Sequence, residues 1–352
     1  MLNNVIPVNG VTQPPPVIPV NGGTQPPPVI PANAGIQAVM DPRAWPGMTG
    51  GRPSAAQRID TPLGAIGYRQ AGVLASTRLV LLHGIGSGSA SWSAQLAAVK
   101  PHQPGLLAWD APGYGVSDGL SLSDDAWPTA THYAERLWAW LDALGLTQPL
   151  TLVGHSLGAL MAVRAALLQP QRVAALVVLA PAQGHARLEP AQRERLLHDR
   201  LAALANLGPA GMARQRGAAM LTPDAPTELV AMVQAVMAQI QPSGYTHAAR
   251  MLSGGDLLAD LAQLRCPLQV ASGSADRITP PAGCQQVAAA AGVAWTDLGP
   301  VGHACPLQAG AAVNALLGLP DVGGISSAGP PQAAKAPSGG SDVHAVTSVG
   351  AT

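Results

Sequence analysis

Leu150-Thr151-Leu152-Val153-Gly154-His155-Ser156-Leu157-Gly158-Ala159-Leu160 is the stretch from which the rest of the chain can be read. An apolar, β-type run enters it, Gly154-His155-Ser156-Leu157-Gly158 turns sharply, and a small-residue helix is expected over 159–168. Strand, G-x-S-x-G and helix together form the context of a nucleophile elbow. The two glycines let strand and helix pass where a Cβ would collide, and the serine is expected in a strained backbone conformation, its hydroxyl projecting from the top of a sheet. Free N–H groups at the start of the following helix favour negative charge developing at the same point.

Working outward, the same alternation recurs. Residues 58–69 have the pattern of a hairpin with a Pro/Gly turn at Pro62-Leu63-Gly64. Residues 78–82 read as a continuous apolar strand running into His83-Gly84-Ile85-Gly86-Ser87-Gly88, with an amphipathic helix over 91–99. A strand at 106–109 ends at Asp110-Ala111-Pro112-Gly113-Tyr114-Gly115-Val116-Ser117-Asp118, a helix is expected over 131–144, and the strand after the elbow lies at 173–179. Apolar strands alternating with helices imply an α/β fold, with a mostly parallel central sheet covered by helices on both faces. From 182 to about 256 helical periodicity continues with no strand, most clearly over 227–240. Strands return at 267–271 and 294–298, with helices over 281–290 and 305–317.

The two ends differ from this middle. Val5-Ile6-Pro7-Val8-Asn9-Gly10-Val11-Thr12-Gln13-Pro14-Pro15-Pro16 recurs almost unchanged at 17–28, and a third copy starts at Val29. A twelve-residue period with triple prolines cannot sustain helix or sheet pairing, so residues 1–53 are expected to be disordered. Because this repeat is similar to the translation of a short repetitive element of bacterial genomes, the true start is expected at Met40 or Met48. Residues 319–352, rich in Gly, Ser, Ala and Pro, read as a disordered tail. Lys+Arg and Asp+Glu both number 19, so no basic footprint for nucleic acid or an anionic membrane is visible. The longest apolar stretch, 173–182, is too short to span a bilayer. The absence of an early basic n-region and the odd set Cys266, Cys284 and Cys305 point to reduced thiols in a cytoplasmic protein.

A serine hydroxyl is a weak nucleophile at neutral pH and needs a base in hydrogen-bond reach, itself oriented by a third group. Reactive groups in open parallel sheets sit at the carboxyl ends of strands. Two strand ends after the helical insertion offer ionisable residues, Gly273-Ser274-Ala275-Asp276-Arg277 and Gly299-Pro300-Val301-Gly302-His303. The chain order Ser156, Asp276, His303 is the one expected for a G-x-S-x-G elbow in this kind of fold. Charge on a tetrahedral oxygen needs backbone donors already in place; the N–H of Leu157 is one, and Ile85 is the expected second, with Gly86 next. His83 reads as a brace for its own loop and His155 as a packing or supporting residue, while His185 and His247 lie in the insertion within reach of a substrate. Met212, Met220, Met232, Met237 and Met251 would give that insertion an adaptable apolar lining. Arg187, Arg214, Arg216 and Arg250 are the cations available for a substrate carboxylate.

Taken together, His83-Gly84-Ile85-Gly86, the Asp110–Ser117 turn, Gly154-His155-Ser156-Leu157-Gly158, Gly273-Ser274-Ala275-Asp276-Arg277 and Gly302-His303 resemble the α/β-hydrolase fold family over residues 57–318. The resemblance implies a core of 57–181 and 256–318, a helical cap over 182–255, and a triad of Ser156 nucleophile, His303 base and Asp276 orienting acid. Within the family the chain is similar to enol-lactonases and to hydrolases that cleave carbon–carbon bonds of ring-fission products, a group that the Asp276-Arg277 pair followed by Pro280 fits. Ser156 departs from the dehalogenase and epoxide hydrolase branches, which use aspartate, and HGIG is not the HGGG turn of many lipases. The implied activity is hydrolysis of a small ester, lactone or ring-fission product, with no cofactor, no metal, and a small-molecule substrate as partner. C–C bond hydrolysis or cofactor-free perhydrolysis on the same triad, and a non-catalytic ligand-binding protein, remain the alternatives.

Overall fold

The computed structural model describes residues 55–123 and 126–320, together with a two-residue strand at 332–333. The repeat segment 1–53, Met40 and Met48, and the tail beyond Pro320 apart from that strand lie outside the described residues.

The strands are β1 (Gln57–Ile59), β2 (Ile66–Ala71), β3 (Leu79–Leu82), β4 (Leu106–Trp109), β5 (Leu150–His155), β6 (Val173–Leu179), β7 (Leu268–Ser272), β8 (Trp295–Asp297) and β9 (Gln332–Ala333). They form a single sheet in the order β1-β2-β4-β3-β5-β6-β7-β8-β9. Every pair from β4 through β8 is parallel, while β1, β2 and β9 join antiparallel at the edges. This is the expected α/β architecture, with the hairpin of residues 58–69 formed by β1 and β2.

The helices are α1 (Ser93–Ala98), α2 (Ala130–Ala143), α3 (Gly158–Leu168), α4 (Pro190–Arg216), α5 (Thr227–Met237), α6 (Pro242–Gly254), α7 (Leu257–Leu261), α8 (Pro281–Ala290), α9 (Cys305–Gln308) and α10 (Gly310–Leu316). Strand alternation sorts the core onto two faces. Val80, Leu107, Leu152, Leu176 and Val270 pack toward α2, α3 and α8, whereas Leu81, Ala108, Val153, Val177 and Ala271 pack toward α1, α9 and α10. The parallel strands are therefore apolar throughout because both faces are covered.

Helices α4 to α7 fill the interval between β6 and β7. Proline opens α4, α6 and α8, where its missing N–H costs no helical bond. Helix α4 is bent: Gly208 has φ 62°, and Pro209 follows it, removing a donor from the ladder. The single helix expected over 305–317 is split into α9 and α10 at Ala309 (φ −116°, ψ 40°), immediately before Gly310, a residue that favours a break. Residues 91–99 likewise begin as a 3-10 turn, Ser89–Trp92, before α1. Cys266, Cys284 and Cys305 carry free thiols. Among the described residues, no helix is long and apolar enough to cross a membrane.

Candidate active site

Register brings the carboxyl ends of the central strands side by side. Leu82 pairs with Gly154, His155 with Leu179, Leu179 with Ala271, and Ser272 with Asp297. The loops that follow, beginning at His83, Ser156, Ala180, Gly273 and Leu298, therefore open on one edge of the sheet, where this topology places its ligands.

The elbow has the expected close approach. A Cβ on Gly158 would lie 2.2 Å from the Leu82 carbonyl oxygen, and one on Gly154 2.5 Å from the Gly158 oxygen. Ser156 has φ 53°, a conformation that side chains other than glycine rarely adopt. It is fixed from both sides: its N–H donates to the Leu179 carbonyl, and its own carbonyl accepts from Ala159 and Ala182 N–H. Leu157 starts the following helix, and among the described residues neither its N–H nor that of Ile85 has an acceptor.

Asp276 and His303 are brought together by two zipped loops. Ser274 N–H donates to the Gly299 carbonyl and Ala275 N–H to that of Val301, at 2.9 and 3.2 Å. His303 Nδ1 then lies 2.8 Å from Asp276 Oδ2, both side chains almost fully buried. Burial alone would raise the Asp276 carboxyl. The bond and charge of His303, with the N–H groups of Thr279 and Ile278, outweigh it and hold the carboxyl below its usual range.

Thr279 belongs to this cluster and was not singled out from the sequence. Its hydroxyl lies 2.8 Å from Asp276 Oδ2, 3.0 Å from the Ala180 carbonyl and 3.2 Å from His303 Nδ1. Ala180 itself has φ 45°, a second non-glycine residue in the left-handed region. The spacing Asp276-x-x-Thr279, with Oδ1 accepting the N–H of residues two and three positions on, is the local signal that could have revealed it.

The other histidines separate by their partners. His83 Nδ1 donates to the Gly84 carbonyl and Nε2 accepts from Ala111 N–H, so the buried ring is neutral and braces its loop. Burial lowers its pKa. His155 Nε2 donates to the His303 carbonyl at 2.8 Å. A further support comes from the helical insertion: Ala304 N–H donates to the Met220 carbonyl, and Gln308 joins Gly302 N–H to the Thr222 hydroxyl. Met220 to Thr222 thereby hold the His303 loop, a role invisible to local pattern.

Two cavities meet at the serine. The larger, about 570 Å³, is lined on the core side by Ile85, Gly86, Ser156, Thr279 and His303, and on the insertion side by residues that include His185, Arg200, Met212, Arg216, Met220 and Tyr245. The smaller, about 30 Å³, shares Ile85, Gly86, Ser156, Met220, Met237 and His303 and is closed by Val233, Val236 and Leu307. Of the five methionines, Met212, Met220 and Met237 line the large cavity, while Met232 and Met251 are buried in the packing. Of the four arginines named from sequence only Arg216 lines it; Arg200, not named there, is the other. Arg187 is bonded through Nε to both oxygens of Asp256, Arg250 lies 5.6 Å over the Trp127 ring, and Arg214 is exposed. His185 faces the cavity and His247 does not line it.

Comparison with known proteins agrees with this architecture. The family described as alpha/beta hydrolase fold matches residues 77–307. A hydrolase from Pseudomonas aeruginosa PA01 superposes with a TM-score of 0.63 at 26% identity, covering 75% of this chain and 98% of that one. The enol-lactonase from Burkholderia xenovorans LB400 gives 0.64 at 20% identity, over 74% and 98% of the two chains, a likeness of fold. The 1-acylglycerol-3-phosphate O-acyltransferase ABHD5 of Homo sapiens is 34% identical over 105 residues, 30% of each chain. The matches to curated relatives span only 27% to 44% of those proteins' own length, for abhd-5.2 of Caenorhabditis elegans and RutD of Klebsiella pneumoniae respectively. With the family match running from two residues before the first parallel strand into the helix after His303, this chain belongs to the alpha/beta hydrolase fold family.

Proposed function

We propose that the chain is a serine hydrolase of a small carboxylic ester, lactone or ring-fission product, with Ser156 as nucleophile, His303 as base and Asp276 as the group that orients it. The observation that carries this reading is that Ser156 and His303 line one cavity while Asp276 holds Nδ1 of the same imidazole at 2.8 Å. With Nδ1 so engaged, Nε2 is the nitrogen that takes the Ser156 proton as Oγ attacks the carbonyl. The unpaired N–H groups of Leu157 and Ile85 receive the oxyanion, and water releases the acid from the acyl-enzyme. Helices α4 to α6 act as a cap that shapes the substrate cavity and excludes water.

Similarity to a hydrolase and, in fold, to an enol-lactonase supports acyl chemistry of this kind. A second reading has its own support in the O-acyltransferase name of ABHD5: the acyl group would pass to an alcohol instead of water. A panel of p-nitrophenyl acyl esters, enol-lactones and ring-fission dienoates, each run with and without an added acceptor alcohol, separates the readings. Hydrolysis unaffected by acceptor is the expected result. Replacing Ser156 with Ala is expected to lower kcat by about a thousandfold or more and to abolish labelling by a fluorophosphonate. Activity kept within about tenfold of the parent would remove Ser156 from the mechanism.

A further inference from the structure

We infer, building on the hydrolase reading above, that the large cavity binds a substrate carboxylate through Arg200 and Arg216, so that the substrates are short esters or lactones that carry an acid group. The inference begins with α4. Arg200 and Arg216 both belong to this helix, sixteen residues apart. On a straight helix that separation is about 24 Å, too far for two side chains to serve one small ligand. The bend at Gly208 and Pro209 divides the helix between them, and both arginines line the same cavity of about 570 Å³.

The charge of that cavity is one-sided. Its lining contains the cations Arg200 and Arg216 and, among the described residues, not a single aspartate or glutamate. The acid just behind it, Asp276, is already engaged by His303, Thr279 and Ile278. Neither arginine has an acidic partner among the described residues, in contrast to Arg187 with Asp256 and Arg164 with Asp260. Arg200 is steadied instead by a neutral group, its Nη1 donating to the Tyr245 hydroxyl at 3.3 Å, and Tyr245 is buried. Half-buried guanidinium groups without counter-ions are costly, and an anionic ligand relieves that cost through charge-assisted bonds.

The remaining walls set the size of the substrate. Met212, Met220, Met237 and Leu252 line the same cavity as the arginines and Ser156 and give it an apolar wall suited to a short methylene chain. The small cavity that also reaches the serine, about 30 Å³ and lined further by Val233, Val236 and Leu307, has room for a short apolar group such as methyl or ethyl. Methyl and ethyl monoesters of straight-chain dicarboxylic acids satisfy both sides.

Two measurements test this separately from the hydrolase reading. In Ser156→Ala protein, calorimetric binding of the dicarboxylates from succinate to adipate is compared with that of the corresponding diamides. At least one diacid is expected to bind about tenfold or more tightly than its diamide, with affinity falling as salt rises, and to lose that advantage in Arg200→Gln and Arg216→Gln backgrounds. Arg216→Lys, which keeps the charge, is expected to retain part of it, and thermal melts confirm that each variant is folded. In the unsubstituted enzyme, kcat/KM for monomethyl glutarate is expected to exceed that for methyl pentanoate by about tenfold, and the ratio to fall in both Gln variants. Equal binding of diacids and diamides, or no binding of any diacid, would overturn the carboxylate site whether or not esters are hydrolysed. Diacid binding with no turnover of either ester, nor of any lactone or dienoate in the panel above, would uphold the site and remove the hydrolase reading.

Discussion

His155, the residue before Ser156, donates from Nε2 to the backbone carbonyl of His303 at 2.8 Å, and the two imidazole rings lie 4.9 Å apart, centroid to centroid. A carbonyl can only accept, so the proton of His155 sits on Nε2. The bond ties the elbow to the loop that carries His303, 148 positions later in the chain. Asp276 holds the His303 side chain, and His155 holds its backbone.

The burial of His155, which that bond only partly offsets, makes stability depend on pH. Burial first, then the neighbouring His303, pushes the His155 pKa down to about 3. A histidine in the unfolded chain takes up a proton near pH 6.5. The unfolded state therefore binds a proton that the native state refuses. The contribution of His155 is complete above about pH 6.5 and is lost as pH falls toward 3, by at most about 1.4 kcal/mol per pH unit. His83, lowered by burial, acts in the same sense. Urea midpoints are expected to drop between pH 7 and pH 5, and His155→Gln, whose amide can still donate to the His303 carbonyl, should show a shallower drop. An unchanged slope in the variant would assign the effect elsewhere.

Thr279 offers a test of the Asp276–His303 geometry that leaves all three proposed catalytic groups in place. Thr279→Val removes the hydroxyl that lies against Asp276 Oδ2 and the Ala180 carbonyl while keeping the side-chain volume. The expected cost is about 1 kcal/mol of stability and a fall in kcat of about five- to tenfold with KM little changed. Thr279→Ser should recover most of both. A fall in KM-dependent terms alone would place Thr279 in substrate binding instead.

The elbow glycines can be tested by stability alone. An alanine Cβ at Gly158 would meet the Leu82 carbonyl at 2.2 Å, backbone against backbone, with no flexible side chain to yield. Gly158→Ala should cost more than about 3 kcal/mol or fail to accumulate as folded protein. Gly119→Ala is the control, since a Cβ there has nothing within 4 Å, and it should fall within about 0.5 kcal/mol of the parent. Equal melting temperatures for the two would contradict the close strand–helix approach.

Asp260 on α7 is buried at 4% exposure and bonded to Arg164 on α3. Burial raises its pKa even though Arg164 opposes the shift. Removing the carboxylate takes from Arg164, whose side chain is 32% exposed, the acid it is bonded to. Asp260→Ala is expected to lose about 3 kcal/mol in chemical denaturation, and the double variant Asp260→Ala with Arg164→Met to lose less. A double variant as unstable as the single one would show that packing, not charge, dominates there.

The amino-acid sequence on its own determined what is written in neighbouring residues. Apolar runs of strand length, the spacing of Gly154, Ser156 and Gly158, and the placement of Asp276 and His303 after later strands are local signals. A parallel sheet converts them into position, because register forces successive strand ends to one edge. The same locality explains what was not legible. The turn that joins Thr279 to Asp276 is local, but the Thr279 hydroxyl is also placed by the Ala180 carbonyl, which comes from a different loop. Arg200 and Arg216 line one cavity from either side of the bend at Gly208, and Arg187, closer in sequence to the elbow, is taken by Asp256. Which side of an amphipathic helix meets a cavity, and which charge finds a partner, depend on contacts between segments tens to hundreds of residues apart. Only the folded chain decides those, because the energy that selects them is packing between elements and not the preference of any one of them.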